Sequence, residues 1–232
     1  MGMEYWIVLV AFVLAYVALI FLFKRIGYKA YVNVILISVT VLCYGALVFL
    51  IYRDVGFSDW NFKNALPTAN VSPFMFASLV VYLFLPKVLK EKWGLLIALL
   101  SFGMLCALVL GCASRAVIHY KFHLTFLLDY FSHFALSLLG VYLVSSGQVE
   151  VKKKDCLLSG SLIVIVALIM LIVNLFAGTA FFGLALNENY NIYNMVLLPN
   201  PYLSALVYFV GLCGVLFLGY FYLKLVAEKK KE

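Results

Sequence analysis

The sequence predicts an all-α integral membrane protein: a bundle of seven transmembrane helices with its N-terminus outside and its C-terminus in the cytoplasm. Three observations carry this. The chain of 232 residues is 66% hydrophobic and only 12% charged, with a mean hydropathy of +1.10, whereas a soluble domain is about half apolar and roughly a quarter charged. Seven apolar runs approach or exceed the length needed to cross a bilayer. The basic residues between those runs alternate in number from one connection to the next.

A hydrocarbon core about 30 Å thick is crossed by roughly 20 apolar residues in a helix. The first span is expected over 4–23, ending at Lys24 and Arg25, and the second over 30–52, ending at Arg53. The third, 72–89, is the shortest. Pro73 stands in its first turn, where the missing N–H has no intrahelical partner to lose. The fourth runs over 93–114 and the fifth over 122–146. The sixth follows Lys152-Lys153-Lys154 over 156–181, and the seventh runs over 201–227 into a lysine-rich tail. Residues 1–232 read as one membrane domain, without an internal repeat or a cleavable signal peptide.

Lys24, Arg25 and Lys29, then Lys87, Lys90 and Lys92, then Lys152, Lys153 and Lys154, and finally Lys224 and Lys229 to Lys231 fall on one side. The other side keeps Arg53, Lys63, Arg115 and Lys121. The positive-inside rule turns this asymmetry into the stated orientation and a multi-pass location in the cell membrane. It also assigns the net charge of +7 to topology rather than to nucleic-acid binding. Cys43, Cys106, Cys112, Cys156 and Cys213 lie in or beside apolar runs without a CxxC pair, so neither a zinc site nor a disulfide framework is expected.

The two longest connections, Arg53–Val71 and Phe182–Asn200, are both external and rich in asparagine, aromatics and proline. Loops held on a rigid scaffold often carry function, which makes the external face the expected working end. Capping of the bundle with interfacial aromatic anchors is the simpler alternative.

Helix five carries the main candidate site. Thr125, Asp129, Ser132 and His133 fall at i, i+4, i+7 and i+8, one face of a helix in an otherwise apolar run. At 1.5 Å per residue Asp129 lies about 10 Å deep and His133 about 16 Å deep, near the midplane. Ionisable groups at that depth are costly against lipid, so the stripe is expected to face the bundle interior or a wet cavity. The i, i+4 spacing lets Asp129 reach His133. A carboxylate beside an imidazole fixes its tautomer and suits it to general-base work or proton relay. The alternative is a hydrogen-bonded pair that only ties helices together.

Further polar residues complete a candidate constellation. Thr68, Asn70 and Ser72 stand at the outer entrance to helix three. Thr68 or Ser72 can supply a hydroxyl nucleophile, while Asn70 and Ser72 also suit an N-cap. Asn174, near the outer end of helix six, precedes the NENYNIYN segment, in which Glu188, Asn189, Tyr190 and Asn194 suit a polar headgroup or a sugar-like ligand. Arg115 and His123 extend an external polar rim, with Arg115 a candidate phosphate contact. The sequence contains no G-x-S-x-G, H-E-x-x-H, Walker A or GxGxxG motif, and no cofactor or metal is expected.

Leu66-Pro67, then Phe131 to Gly140 (FSHFALSLLG), then Asn191 to Ser204 (NIYNMVLLPNPYLS) resemble the YwaF family, bacterial multi-spanning proteins grouped with eukaryotic transmembrane protein 164. The matching segments cover about a sixth of the chain. The resemblance implies a helical bundle with an intramembrane histidine, here His133, and, from the eukaryotic relatives, acyl-chain chemistry on lipids using a cysteine and that histidine. The cysteine expected after Leu66-Pro67 is missing, since the stretch reads LPTANVS, so either Thr68 or Ser72 substitutes or this chain does not do that chemistry.

Three functions follow as expectations. In the first, a lipid acyl transferase or hydrolase uses His133 as base, Asp129 as its orienting group and Ser72 or Thr68 as nucleophile. In the second, a proton-coupled transporter, or the substrate-binding subunit of one, uses Asp129 and His133 as a coupling or ligand site. The third is a non-catalytic receptor or scaffold. Membrane lipids and a lipid or small-molecule ligand are the expected partners.

Overall fold

A computed structural model describes residues 3–55, 71–117, 124–177 and 201–227. Its regular secondary structure is α-helical, joined by turns: α1 Met3–Ile26, α2 Ala30–Val55, α3 Val71–Phe84, α4 Lys87–Val117, α5 Leu124–Ser145, α6 Lys153–Ala177 and α7 Pro201–Ala227. Six of them are long and apolar enough to cross a membrane. The exception is α3, whose 14 residues extend about 21 Å at 1.5 Å per residue.

The break after α3 differs from the expected helix over 72–89. Pro86 disfavours helical geometry at Leu85, and its carbonyl accepts from the Leu89 and Lys90 N–H groups (2.9 and 3.0 Å). Lys87, Lys90 and Lys92 therefore belong to the first turns of α4 instead of a connection. Elsewhere the boundaries differ from the expected ones by a few residues.

Helices α4 and α5 form the centre. Around α4 pack α1, α3, α5, α6 and α7, and around α5 pack α1, α2, α4 and α7. The α4–α5 seam is close because small residues line it. A β-carbon on Gly140 would meet the Ser101 side chain and lie 2.9 Å from the Ala98 Cα. On Gly111 it would meet the Tyr130 ring, and on Gly94 it would lie 2.7 Å from Val149 Cγ2. Lipid tails are as apolar as leucine, so helices in a bilayer associate through such close van der Waals approach.

The outer helices show one buried stripe each. In α1 it is Tyr5, Leu9, Phe12, Tyr16 and Phe23, residues that recur on one helical face. Ile7, Leu14 and Phe21 lie on the exposed faces, as lipid contact requires.

One end of the bundle gathers the basic turns. Gly27 (φ 62°) closes α1 in the left-handed region, with its N–H on Phe23 O at 3.1 Å. Gly147 (φ 76°) does the same in the α5–α6 turn, donating to Val144 O at 3.1 Å. The Tyr142 hydroxyl joins the two turns: it accepts from Lys29 N–H at 2.5 Å and faces Lys29 O at 2.9 Å and Gly27 O at 3.2 Å. Asn33 Nδ2 donates to Gln148 Oε1 at 2.7 Å across the same junction.

Candidate functional site

Helix α5 has 22 residues, about 33 Å of helix, which places His133 about 14 Å from its start and close to mid-membrane. The face it occupies follows from its neighbours. Tyr130 packs on Gly111 and Gly140 on Ala98 and Ser101. His133 lies three residues after the first and seven before the second, which puts it on the same side of the helix. Asp129 follows one turn earlier. The pair therefore lies on the side of α5 that faces α4, partly buried. The His133 side chain is 13% exposed and that of Asp129 33%.

The imidazole Nδ1 stands 2.8 Å from the Asp129 backbone carbonyl oxygen and 3.3 Å from carboxylate Oδ1. A backbone carbonyl only accepts hydrogen bonds, so Nδ1 carries the proton. In the neutral ring Nε2 is then the nitrogen with the lone pair. The sequence anticipates the i, i+4 contact, but not that the main-chain oxygen makes the shorter of the two.

The nearby serines are engaged locally. Ser132 Oγ donates to the same Asp129 carbonyl at 2.7 Å, and Ser137 Oγ donates to Phe134 O at 2.8 Å. Such back-bonds satisfy a hydroxyl within its own helix.

A second polar contact, absent from the sequence reading, lies one turn beyond His133. Tyr222 of α7 donates to the Tyr16 hydroxyl of α1 at 3.0 Å, and Tyr16 donates to Ser137 O of α5 at 3.3 Å. The chain ties three helices together. A signal for it existed in Ser137, four residues after His133 on the same face, but nothing local in the sequence pairs Tyr16 with Tyr222.

The other predicted residues are placed unevenly. Asn174 is buried in α6, at 4% exposure. Its helix packs on α4 and α7. Ser72 falls in the first turn of α3 and Arg115 in the last turns of α4, but their side chains lie outside the described residues, as does that of Thr125. Thr68, Asn70, His123, Glu188, Asn189, Tyr190 and Asn194 lie outside the described residues altogether. Helix α3 packs principally on α4, the helix that also forms one wall of the His133 seam. Among the described residues, no three of His, Cys, Asp and Glu gather to hold a metal ion.

The chain matches no family model, and no curated protein or solved structure matches it.

Proposed function

We propose that the protein is a membrane-embedded enzyme of lipid acyl groups, a transferase or hydrolase, with His133 as its general base. The observation that supports this most is the double hold on His133 Nδ1 by Asp129, at 2.8 and 3.3 Å, which leaves Nε2 as the base. A base within a membrane bundle acts on an ester only if the molecule carrying it enters the protein from the bilayer. Lipids do so. In the proposed reaction Nε2 takes the proton of an attacking hydroxyl as its oxygen adds to the acyl carbonyl. The tetrahedral intermediate then collapses, and the imidazolium returns the proton to the departing alcohol oxygen. Ser72 or Thr68 supplies the hydroxyl in a transfer through an acyl-enzyme, and Arg115, Asn174 and the Asn-rich segment around Tyr190 hold the headgroup. The YwaF likeness of FSHFALSLLG supports the same reading.

The test is lipid mass spectrometry on liposomes containing the purified chain, wild type against His133→Ala. Acyl loss or exchange with wild type alone supports the enzyme. Unchanged lipids with folded protein, across several headgroups, count against it.

A proton-coupled carrier is the second reading, favoured by the Tyr222–Tyr16–Ser137 contact, which continues the polar line of α5 towards the basic end. In that reading Asp129 and His133 load and release a proton as a ligand moves, and proton flux in sealed vesicles depends on His133. The proposed orientation, with the basic end in the cytoplasm and seven crossings, is shared by both readings and rests on the charge asymmetry between the connections.

A further inference from the structure

The basic end of the bundle is assembled from separate turns, and two of them are fixed side by side. Tyr142, at the end of α5, holds Gly27 and Lys29 of the α1–α2 turn through its hydroxyl. Asn33 reaches from α2 to Gln148 in the α5–α6 turn, and Gln148 Nε2 donates to Ser146 Oγ at 2.7 Å. These bonds set the α1–α2 turn, which carries Lys24, Arg25 and Lys29, beside the α5–α6 turn, which leads to Lys152, Lys153 and Lys154; the Lys24 ammonium also donates to Leu225 O of α7 at 3.4 Å. All six are exposed. The acidic residues of those turns are Glu150 and Asp155. Glu150 is committed to Lys152 at 2.6 Å, and that hydrogen bond holds the Lys152 ammonium charged to higher pH than usual. Exposed Tyr28 and Tyr31 stand at the α1–α2 turn, the amphipathic type that settles at headgroup level. Just behind the patch lie the apolar spans, so it borders the level of lipid phosphates.

We propose that this composite patch is a binding site for the phosphate of an anionic phospholipid, formed by the α1–α2 and α5–α6 turns and held in shape by Tyr142. Neither turn alone presents the full charge. The site owes its form to the clamp, which separates it from the diffuse basic character of that end. Its occupant lies in the leaflet facing the basic end, where each lysine or arginine near the surface strengthens attachment about fivefold. The inference stands apart from any turnover at His133.

The test is native mass spectrometry of the full chain in micelles containing equal phosphatidylglycerol and phosphatidylcholine, which reads the ratio of retained lipids. Wild type is expected to retain phosphatidylglycerol preferentially. Lys29→Gln with Lys153→Gln lowers that preference by about fivefold for each residue, while the same positions changed to arginine keep it. Lys87→Gln with Lys90→Gln removes equal charge from α4, outside the clamp, and lowers the preference less than the Lys29 and Lys153 pair does. Tyr142→Phe keeps every charge yet lowers the preference, because the backbone at Gly27 and Lys29 loses its anchor on α5. Equal retention of both lipids by wild type overturns the proposal. So does an equal fall in the two lysine pairs, which indicates diffuse charge, or an unchanged ratio in Tyr142→Phe. Displacement of phosphatidylglycerol by inorganic phosphate, but not by chloride at equal ionic strength, marks a free-anion site and overturns the lipid assignment.

Discussion

Asp129 holds His133 by two acceptors at once, its backbone carbonyl oxygen at 2.8 Å from Nδ1 and its carboxylate at 3.3 Å. The main-chain oxygen remains whatever side chain occupies position 129. It alone keeps the proton on Nδ1. The carboxylate supplies a second acceptor beside the same nitrogen.

This division of labour separates two substitutions. His133→Ala removes the base and is expected to lower acyl turnover by about 10²–10⁴-fold. Asp129→Asn leaves the tautomer set by the carbonyl and removes only the charge. A smaller loss than that of His133→Ala is expected. Initial rates in liposomes check both. Equal losses in the two variants contradict the separate roles.

Replacing the pair together gives a different outcome for stability than for activity. An ionisable residue at mid-membrane costs about 2.5–3.5 kcal/mol on insertion scales. Asp129→Leu with His133→Leu removes both members of the pair together, so the chain is expected to fold at least as stably while losing turnover. Thermal unfolding in detergent and the lipid assay read the two halves. Retained turnover in this variant sinks the site.

The seam that carries the pair depends on Gly140. A β-carbon there meets Ser101 and stands 2.9 Å from the Ala98 Cα, and the backbone of α4 cannot yield as a flexible side-chain end does. Gly140→Val is expected to destabilise the bundle by about 1–3 kcal/mol through overpacking. Gly45→Val, where nothing lies within 4 Å of the added β-carbon, is the control and is expected to show a much smaller effect. Unfolding of the two variants in mixed micelles provides the comparison.

At the basic end, Tyr142→Phe removes the acceptor of Lys29 N–H and the donor to the carbonyls of the α1–α2 turn. A loss of about 0.5–1.5 kcal/mol per hydrogen bond is expected, with faster hydrogen exchange at the Lys29 amide. Exchange at Lys29 as slow as in wild type contradicts the clamp.

The Tyr222–Tyr16 contact bridges α7 and α1. Hydrogen bonds between membrane helices average about 0.6 kcal/mol in double-mutant cycles. The cycle of Tyr16→Phe and Tyr222→Phe is expected to return a coupling of that size. A coupling of zero contradicts the contact.

Much of the architecture was legible because bilayer thickness demands long apolar runs, and such runs survive in sequence without help from distant residues. Asp129 and His133 were legible for a related reason: their contact is local, one turn apart on one helix. What escaped was set by neighbours or by a single bond. The end of α3 turned on Pro86, whose effect on Leu85 interrupts an otherwise continuous apolar stretch. Tyr142, Asn33 and Gln148 meet only after α2 and α5 have packed together, and Tyr16 finds Tyr222 across more than 200 residues. Gly140 is one of 15 glycines in the chain, and only the approach of Ala98 and Ser101 shows why that position is small. The role of Nδ1 required the orientation of the ring, which spacing alone leaves open.

The central claim is that His133 acts as a base on lipid acyl groups, and lipid mass spectrometry of proteoliposomes tests it most directly. Wild type, Asp129→Asn and His133→Ala are compared at equal folded protein across several headgroup classes. The account predicts acyl loss or exchange with wild type, a reduced rate with Asp129→Asn and none above background with His133→Ala. Identical lipid profiles in all three, with wild type unchanged from protein-free liposomes, would contradict it.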